Sequence, residues 1–123
     1  MIQKFIYVTF QTEFIHQYKN APDEVSFLRY PHRHIAHIKV QVEVFHNDRE
    51  IEFIMLKHKL QNYCELDKLS NNSCETIAEM ILDYVQENYG DQRDIKIIVS
   101  EDNENGCELV YEKPLIYDEL HRE

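Results

Sequence analysis

Residues Ile38-Lys39-Val40-Gln41-Val42-Glu43-Val44 alternate strictly between apolar and polar side chains. Successive side chains on an extended chain point to opposite faces, so this run is a half-buried strand of an antiparallel sheet. It needs a partner strand on each flank and an apolar layer against Ile38, Val40, Val42 and Val44. Directly before it stands Tyr30-Pro31-His32-Arg33-His34-Ile35-Ala36-His37. His32 and His34 are two apart, so entry into the strand puts both imidazoles on one face. Two readings stay open from these residues alone: a pair of metal-ligating nitrogens in one pocket, or two polar histidines at a strand end. The chain has seven histidines, five of them between residues 16 and 46.

The neighbouring segments supply the rest of an α+β domain. Residues 2–15, with Phe5, Tyr7, Phe10 and Phe14 among Ile and Val, form a first strand. Residues 17–31 are polar and broken by proline, hence a loop. The second strand spans 34–46, followed by a turn through His46-Asn47-Asp48-Arg49-Glu50. The period then changes: apolar residues at 53, 56, 60 and 63 or 64 define a first helix within 51–64. Asn72 as N-cap, with Glu75 three residues on, opens a second helix. Its stripe is Ile77, Met80, Ile81, Tyr84 and Val85, and Gly90 stops it. Strands follow at 94–100 and 107–111, joined by a polar turn. The order β-β-α-α-β-β predicts a four-stranded antiparallel sheet with two helices on one face. Residues 1–112 make one domain and 113–123 a C-terminal tail. The two edge strands and the second sheet face call for cover, which oligomerisation supplies.

Composition narrows function. The formal net charge of −10 repels phosphate backbones and disfavours nucleic acid polymers as partners. Cys64, Cys74 and Cys107 have no CxxC spacing; an odd, sparse set points to a reducing, cytoplasmic setting. The N-terminus lacks a signal-peptide core, and no run approaches the roughly 20 apolar residues of a membrane span. The acidic run from Glu101 to Gly106 lacks the ligand spacing of an EF-hand and reads as a hairpin turn.

These motifs, in this order, resemble the tunnelling-fold family of 6-pyruvoyl-tetrahydropterin and 6-carboxy-tetrahydropterin synthases over roughly residues 5–111. Glu52-Phe53-Ile54-Met55-Leu56-Lys57 matches the family's D-F-x-x-L-K at its first helix. Ser73-Cys74-Glu75-Thr76-Ile77-Ala78 matches its T-x-E-N-hydrophobic-A at the second, and Val99-Ser100-Glu101 its V-x-E. The resemblance implies a zinc ion held by His16, His32 and His34, with a fourth position open to water or substrate. It implies a pterin or purine-type ligand anchored by Glu101, whose carboxylate can accept two parallel N–H bonds. Ser73 and Cys74 fall near that ligand by the same match. It also implies a homo-oligomer, a hexamer with sites at subunit interfaces, where Glu101 completes a neighbour's pocket. Arg29 and Arg33, beside the histidine pair, are candidate grips for a phosphate or carboxylate.

Departures from the pattern concern the chemistry. The family's catalytic cysteine position holds Leu28, the alternative glutamate position holds Arg29, and the histidine of its Leu-Asp-His holds Lys68. The catalytic residues are therefore unknown. Two functions follow: a zinc-dependent lyase of this family, or a ligand-binding protein that sequesters a nucleotide-like molecule, as a virus or mobile element would use.

Overall fold

A computed structural model describes residues 1–115. It is an α+β architecture with one four-stranded antiparallel sheet and several helices. Strands β1 (Lys4–His16), β2 (His32–Val44), β3 (Ile95–Glu101) and β4 (Asn105–Tyr111) lie in the order β1-β2-β3-β4. Helices α1 (Phe53–Tyr63), α2 (Leu66–Leu69) and α3 (Cys74–Tyr89) fall between β2 and β3. The expected element order is present with two additions: the four-residue α2, and a 3-10 segment at Asp23–Arg29 inside the long loop. Both are too short to carry a periodic hydrophobic signal.

The alternation that identified β2 sets the core. Ala36, Ile38, Val40 and Val42 are buried, with Phe10 and Phe14 beside them on β1 and Ile95, Ile97 and Val99 on β3. Leu56 and Leu60 of α1, Leu69 of α2, and Ile77, Ala78, Ile81 and Val85 of α3 join the same apolar cluster. Burial of such side chains contributes about 1.5–3 kcal/mol each, so this layer is what holds the sheet flat against its cover. Thr12, between Phe10 and Phe14 on that face, donates from its hydroxyl to the Cys64 carbonyl at 3.0 Å. That bond satisfies a carbonyl at the C-terminal end of α1, where the helix has none of its own donors left.

The helix ends correct one expectation. Ser73, not Asn72, caps α3: its hydroxyl accepts from the Thr76 N–H at 3.1 Å. The Asn72 amide instead reaches back to the Lys68 carbonyl at 3.0 Å, and Asn71 before it has a left-handed φ of 67°. With α2 just upstream, its exposed carbonyls compete for Asn72. At α1 the cap is Glu52, whose carboxylate accepts from the Ile54 N–H at 2.7 Å. Strand β2 begins at His32, two residues earlier than expected, so that both histidines of the pair are within the sheet.

At the far end of the sheet from His32, a polar cluster ties β2 to the segment before β3. Arg93 donates to Glu50 Oε2 at 2.8 Å and to the Glu43 carbonyl at 2.9 Å, while Glu50 Oε1 accepts from the Phe45 N–H at 2.6 Å. Lys113 reaches Glu43 at 3.0 and 3.1 Å and donates its backbone N–H to Asp94 at 2.8 Å. The first residue assigned to the tail is thus fastened to the domain, and residues 116–123 of that tail lie outside the described residues. The Arg93 hydrogen bond, then the Phe45 N–H, hold the Glu50 carboxyl at about 2, against an ordinary 4.5. Between those values the unfolded chain binds the proton and the native state does not, so stability rises with pH across the window. E50Q is expected to cost about 2 kcal/mol at neutral pH and to flatten the acid limb of the stability profile. Urea midpoints taken from pH 2.5 to 6 would test this; an unchanged slope would count against the pair.

Candidate functional site

Three histidines converge where β1 ends and β2 begins. The register pairs His16 with His32 and Phe14 with His34, so residues 16, 32 and 34 share the core-side face at the rim of the sheet. Their ring centroids are 4.5 Å apart for His32–His34, 5.5 Å for His16–His32 and 6.2 Å for His16–His34. Each offers one ring nitrogen, and these lie within 4.8 Å of one another. Phe14 packs beneath them, its ring centroid 5.8 Å from His34 and 6.3 Å from His16.

The hydrogen bonds decide which nitrogen is free. His32 Nδ1 is 2.7 Å from the Tyr30 carbonyl, and His34 Nδ1 is 2.7 Å from Asp102 Oδ2. A carbonyl and a carboxylate only accept, so both Nδ1 atoms carry a proton, and in the neutral ring both Nε2 atoms present a lone pair. His32 Nε2, His34 Nε2 and His16 Nδ1 are buried with no hydrogen-bond partner. Buried polar atoms are almost always paired, and three orphans in one place require an explanation. Burial lowers the His16 pKa, the Glu101 charge opposes this, and the other two histidines lower it further. His16 is therefore a neutral imidazole at neutral pH. In the neutral form these three imidazoles turn lone pairs inward, with the outward N–H of His32 held by a carbonyl and that of His34 by a carboxylate, which is a donor set that a zinc-like ion takes. The residues fit such an ion, and the orphaned nitrogens are the observation that says so.

Glu101 lies beside this cluster within the same chain. Its residue pairs with Ala36, two residues along from His34 on the same face, and its carboxylate oxygens are 3.8 Å from His16 Nδ1 and 3.6 Å from His34 Nε2. Asp102, next in sequence, was not among the candidates. It sits in the β3–β4 turn with a left-handed φ of 54°. Its second oxygen accepts from the Ile35 N–H at 2.9 Å, and its own N–H donates to the Ile35 carbonyl at 2.7 Å. The Ile35 N–H, then His34, hold its carboxyl below the ordinary range. Gly106 lets the hairpin close this tightly, since a Cβ there would collide with the Val99 backbone carbonyl.

The remaining candidates are placed elsewhere or otherwise engaged. Arg33 alternates to the opposite face from His32 and His34 and lies 3.8 Å from Glu13. Arg29 closes its own loop, donating to the Ala21 carbonyl at 2.9 Å and to Asp23 at 2.6 Å. Neither arginine is brought to the histidines. The Ser73 hydroxyl is used as the α3 cap. Cys74 is buried at the first position of α3, and burial, followed by the Glu101 charge, pushes its thiol up to about 11. It is thus protonated and a poor nucleophile. Leu28 lies in the 3-10 segment, and the Lys68 ammonium sits 3.9 Å from the centre of the Tyr63 ring.

Compared with known proteins, the chain matches no family model and no curated protein.

Asp102 gives a sharp prediction about the site. D102N would replace a charged acceptor by an amide that holds the His34 proton less firmly. Should the three histidines hold zinc, its affinity is expected to fall about 10- to 100-fold, the usual cost of losing the outer partner of a ligating histidine. Chelator competition measures it, and affinity equal to that of the unmodified protein would show that Asp102 does not orient His34.

Proposed function

We propose that this chain is a divergent member of the 6-pyruvoyl/6-carboxy-tetrahydropterin synthase family that holds zinc at His16, His32 and His34 and takes a pterin, purine or related nucleotide beside it. The observation that carries the proposal is the set of three buried, unpartnered imidazole nitrogens pointing at one another. An antiparallel sheet in the order β1-β2-β3-β4, with its long helices inserted between the two hairpins, supports the tunnelling-fold assignment with helices on one face. The open edges of β1 and β4 support a homo-oligomer, a hexamer in the family pattern. No helix among the described residues is long and apolar enough to cross a membrane; the free cysteines are what support a reducing, cytoplasmic setting.

A second reading, ligand capture without turnover, is favoured by a specific observation. Among the described residues no activated nucleophile stands at the cluster: the Cys74 thiol is raised to about 11, and Leu28 and Lys68 occupy the positions that the resemblance makes catalytic. Elemental analysis with native mass spectrometry of freshly purified protein tests both readings. One zinc per chain, a mass at a multiple of three subunits and a co-purified heterocycle are expected. Absence of stoichiometric metal would overturn the proposal. Zinc-loaded protein that converts dihydroneopterin triphosphate is an enzyme; one that binds the ligand and leaves it intact is a sequestering protein.

A further inference from the structure

Glu101 brings a carboxylate to the unpartnered histidine nitrogens. His34 uses Nδ1 on Asp102, and its other nitrogen, buried without a hydrogen-bond partner, is 3.6 Å from Glu101 Oε2. His16 Nδ1, 3.8 Å from Oε1, is also unpartnered. These separations are too long for hydrogen bonds. A carboxylate set beside three buried ring nitrogens that have no hydrogen-bond partner completes a four-donor set that one cation would satisfy. The distances suit that arrangement. Donor atoms bound tetrahedrally at 2.0–2.1 Å from one ion are about 3.3 Å apart; the two contacts use different Glu101 oxygens, so the side chain has to rotate to bring one of them toward all three nitrogens. Opposite Glu101 in the register stands Ala36, a small side chain on the same face as His34.

We infer that Glu101 is the fourth ligand of the metal, so that a single chain builds a closed centre of three imidazoles and one carboxylate. The inference rests on the three-histidine metal reading above and changes what the site does. The carboxylate lowers the net charge of the centre from +2 to +1 and occupies the position where a zinc-bound water would otherwise sit. A heterocycle presenting parallel N–H groups to Glu101 draws it off the ion and opens that position, which ties ligand entry to metal access.

The test uses the full chain loaded with cobalt(II), whose visible spectrum reports its ligands, and with zinc for affinity. Azide in the millimolar range is expected to leave the spectrum of the unmodified cobalt protein unchanged and to alter that of E101A, where the position is vacated. E101Q is expected to bind zinc at least about tenfold more weakly in chelator competition. Urea midpoints of both variants check that they fold, and the azide titration of the unmodified protein does not depend on them. Azide binding to the unmodified protein as readily as to E101A, with equal zinc affinities, would overturn the fourth-ligand assignment while leaving the three histidines as the metal site. Failure of the unmodified protein to take up either metal would overturn the metal reading itself.

Discussion

The double substitution of His32→Ala and His34→Ala is expected to erase the difference in stability between zinc-loaded and chelator-treated protein. In the unmodified protein that difference is set by mass action. An ion that binds only the native state adds about 4 kcal/mol at a concentration a thousand times its dissociation constant. For a chain of this length that is roughly 10–15 °C in melting temperature. In chelator the substitutions should matter much less. His32 Nε2 and His34 Nε2 are buried without partners, and each orphaned group costs about 1–3 kcal/mol. Alanine relieves that cost while losing the bonds from Nδ1 to Tyr30 and Asp102, so the terms largely cancel. The signature is therefore an interaction: large loss with zinc, small change without it. Melting curves of both proteins in zinc and in chelator give the four numbers needed. Equal losses in both conditions would mean that the histidines serve the fold rather than an ion.

How much of this was legible depends on the range of the interaction involved. Strand β2 was readable because each residue of 38–42 reports locally on which face is buried; at its end the alternation fails, Glu43 being buried among Gln3, Asp94 and Lys113 and Val44 only half-buried. The same alternation placed His32 and His34 together and, applied strictly, sends Arg33 to the opposite face. Positional likeness to a family motif gave Arg33 a role that the pleat denies it. His16 is different. Its meeting with His32 depends on the register of a long hairpin, closed by a loop from 17 to 31 whose length the residues do not translate into a register. Arg29 has a partner six residues away, Asp23, yet nothing in the sequence says that the loop turns back on itself there. Asp102 was hidden by its own setting. In a run of acidic and amide residues it reads as one more turn residue, and only its left-handed backbone aims it at His34. The choice between Asn72 and Ser73 as helix cap is a near tie in intrinsic preference, decided by the short α2 upstream.

Phe14 is the side chain on which the histidine cluster stands. It is fully buried, it is the cross-strand partner of His34, and its ring is tilted 37° to His34 and 42° to His16. Removing the ring in Phe14→Ala is expected to cost about 3–5 kcal/mol, from lost burial and the cavity left behind. The proposed metal site should suffer in addition. The two imidazoles keep their orientation partly because the ring fills the space into which they would turn, and preorganised ligands bind an ion without first losing rotamer freedom. Zinc affinity should therefore fall along with stability in Phe14→Ala. Phe14→Leu, which keeps most of the volume, should cost about 1.5 kcal/mol or less and restore most of the affinity. A double-mutant cycle with His34→Ala separates the two effects. Contacting residues couple by about 0.5–3 kcal/mol, so in zinc the two losses should be markedly non-additive. Strict additivity, or an affinity in Phe14→Ala that matches the unmodified protein, would show that the ring supports only the core and that the histidines are held by their outer hydrogen bonds alone.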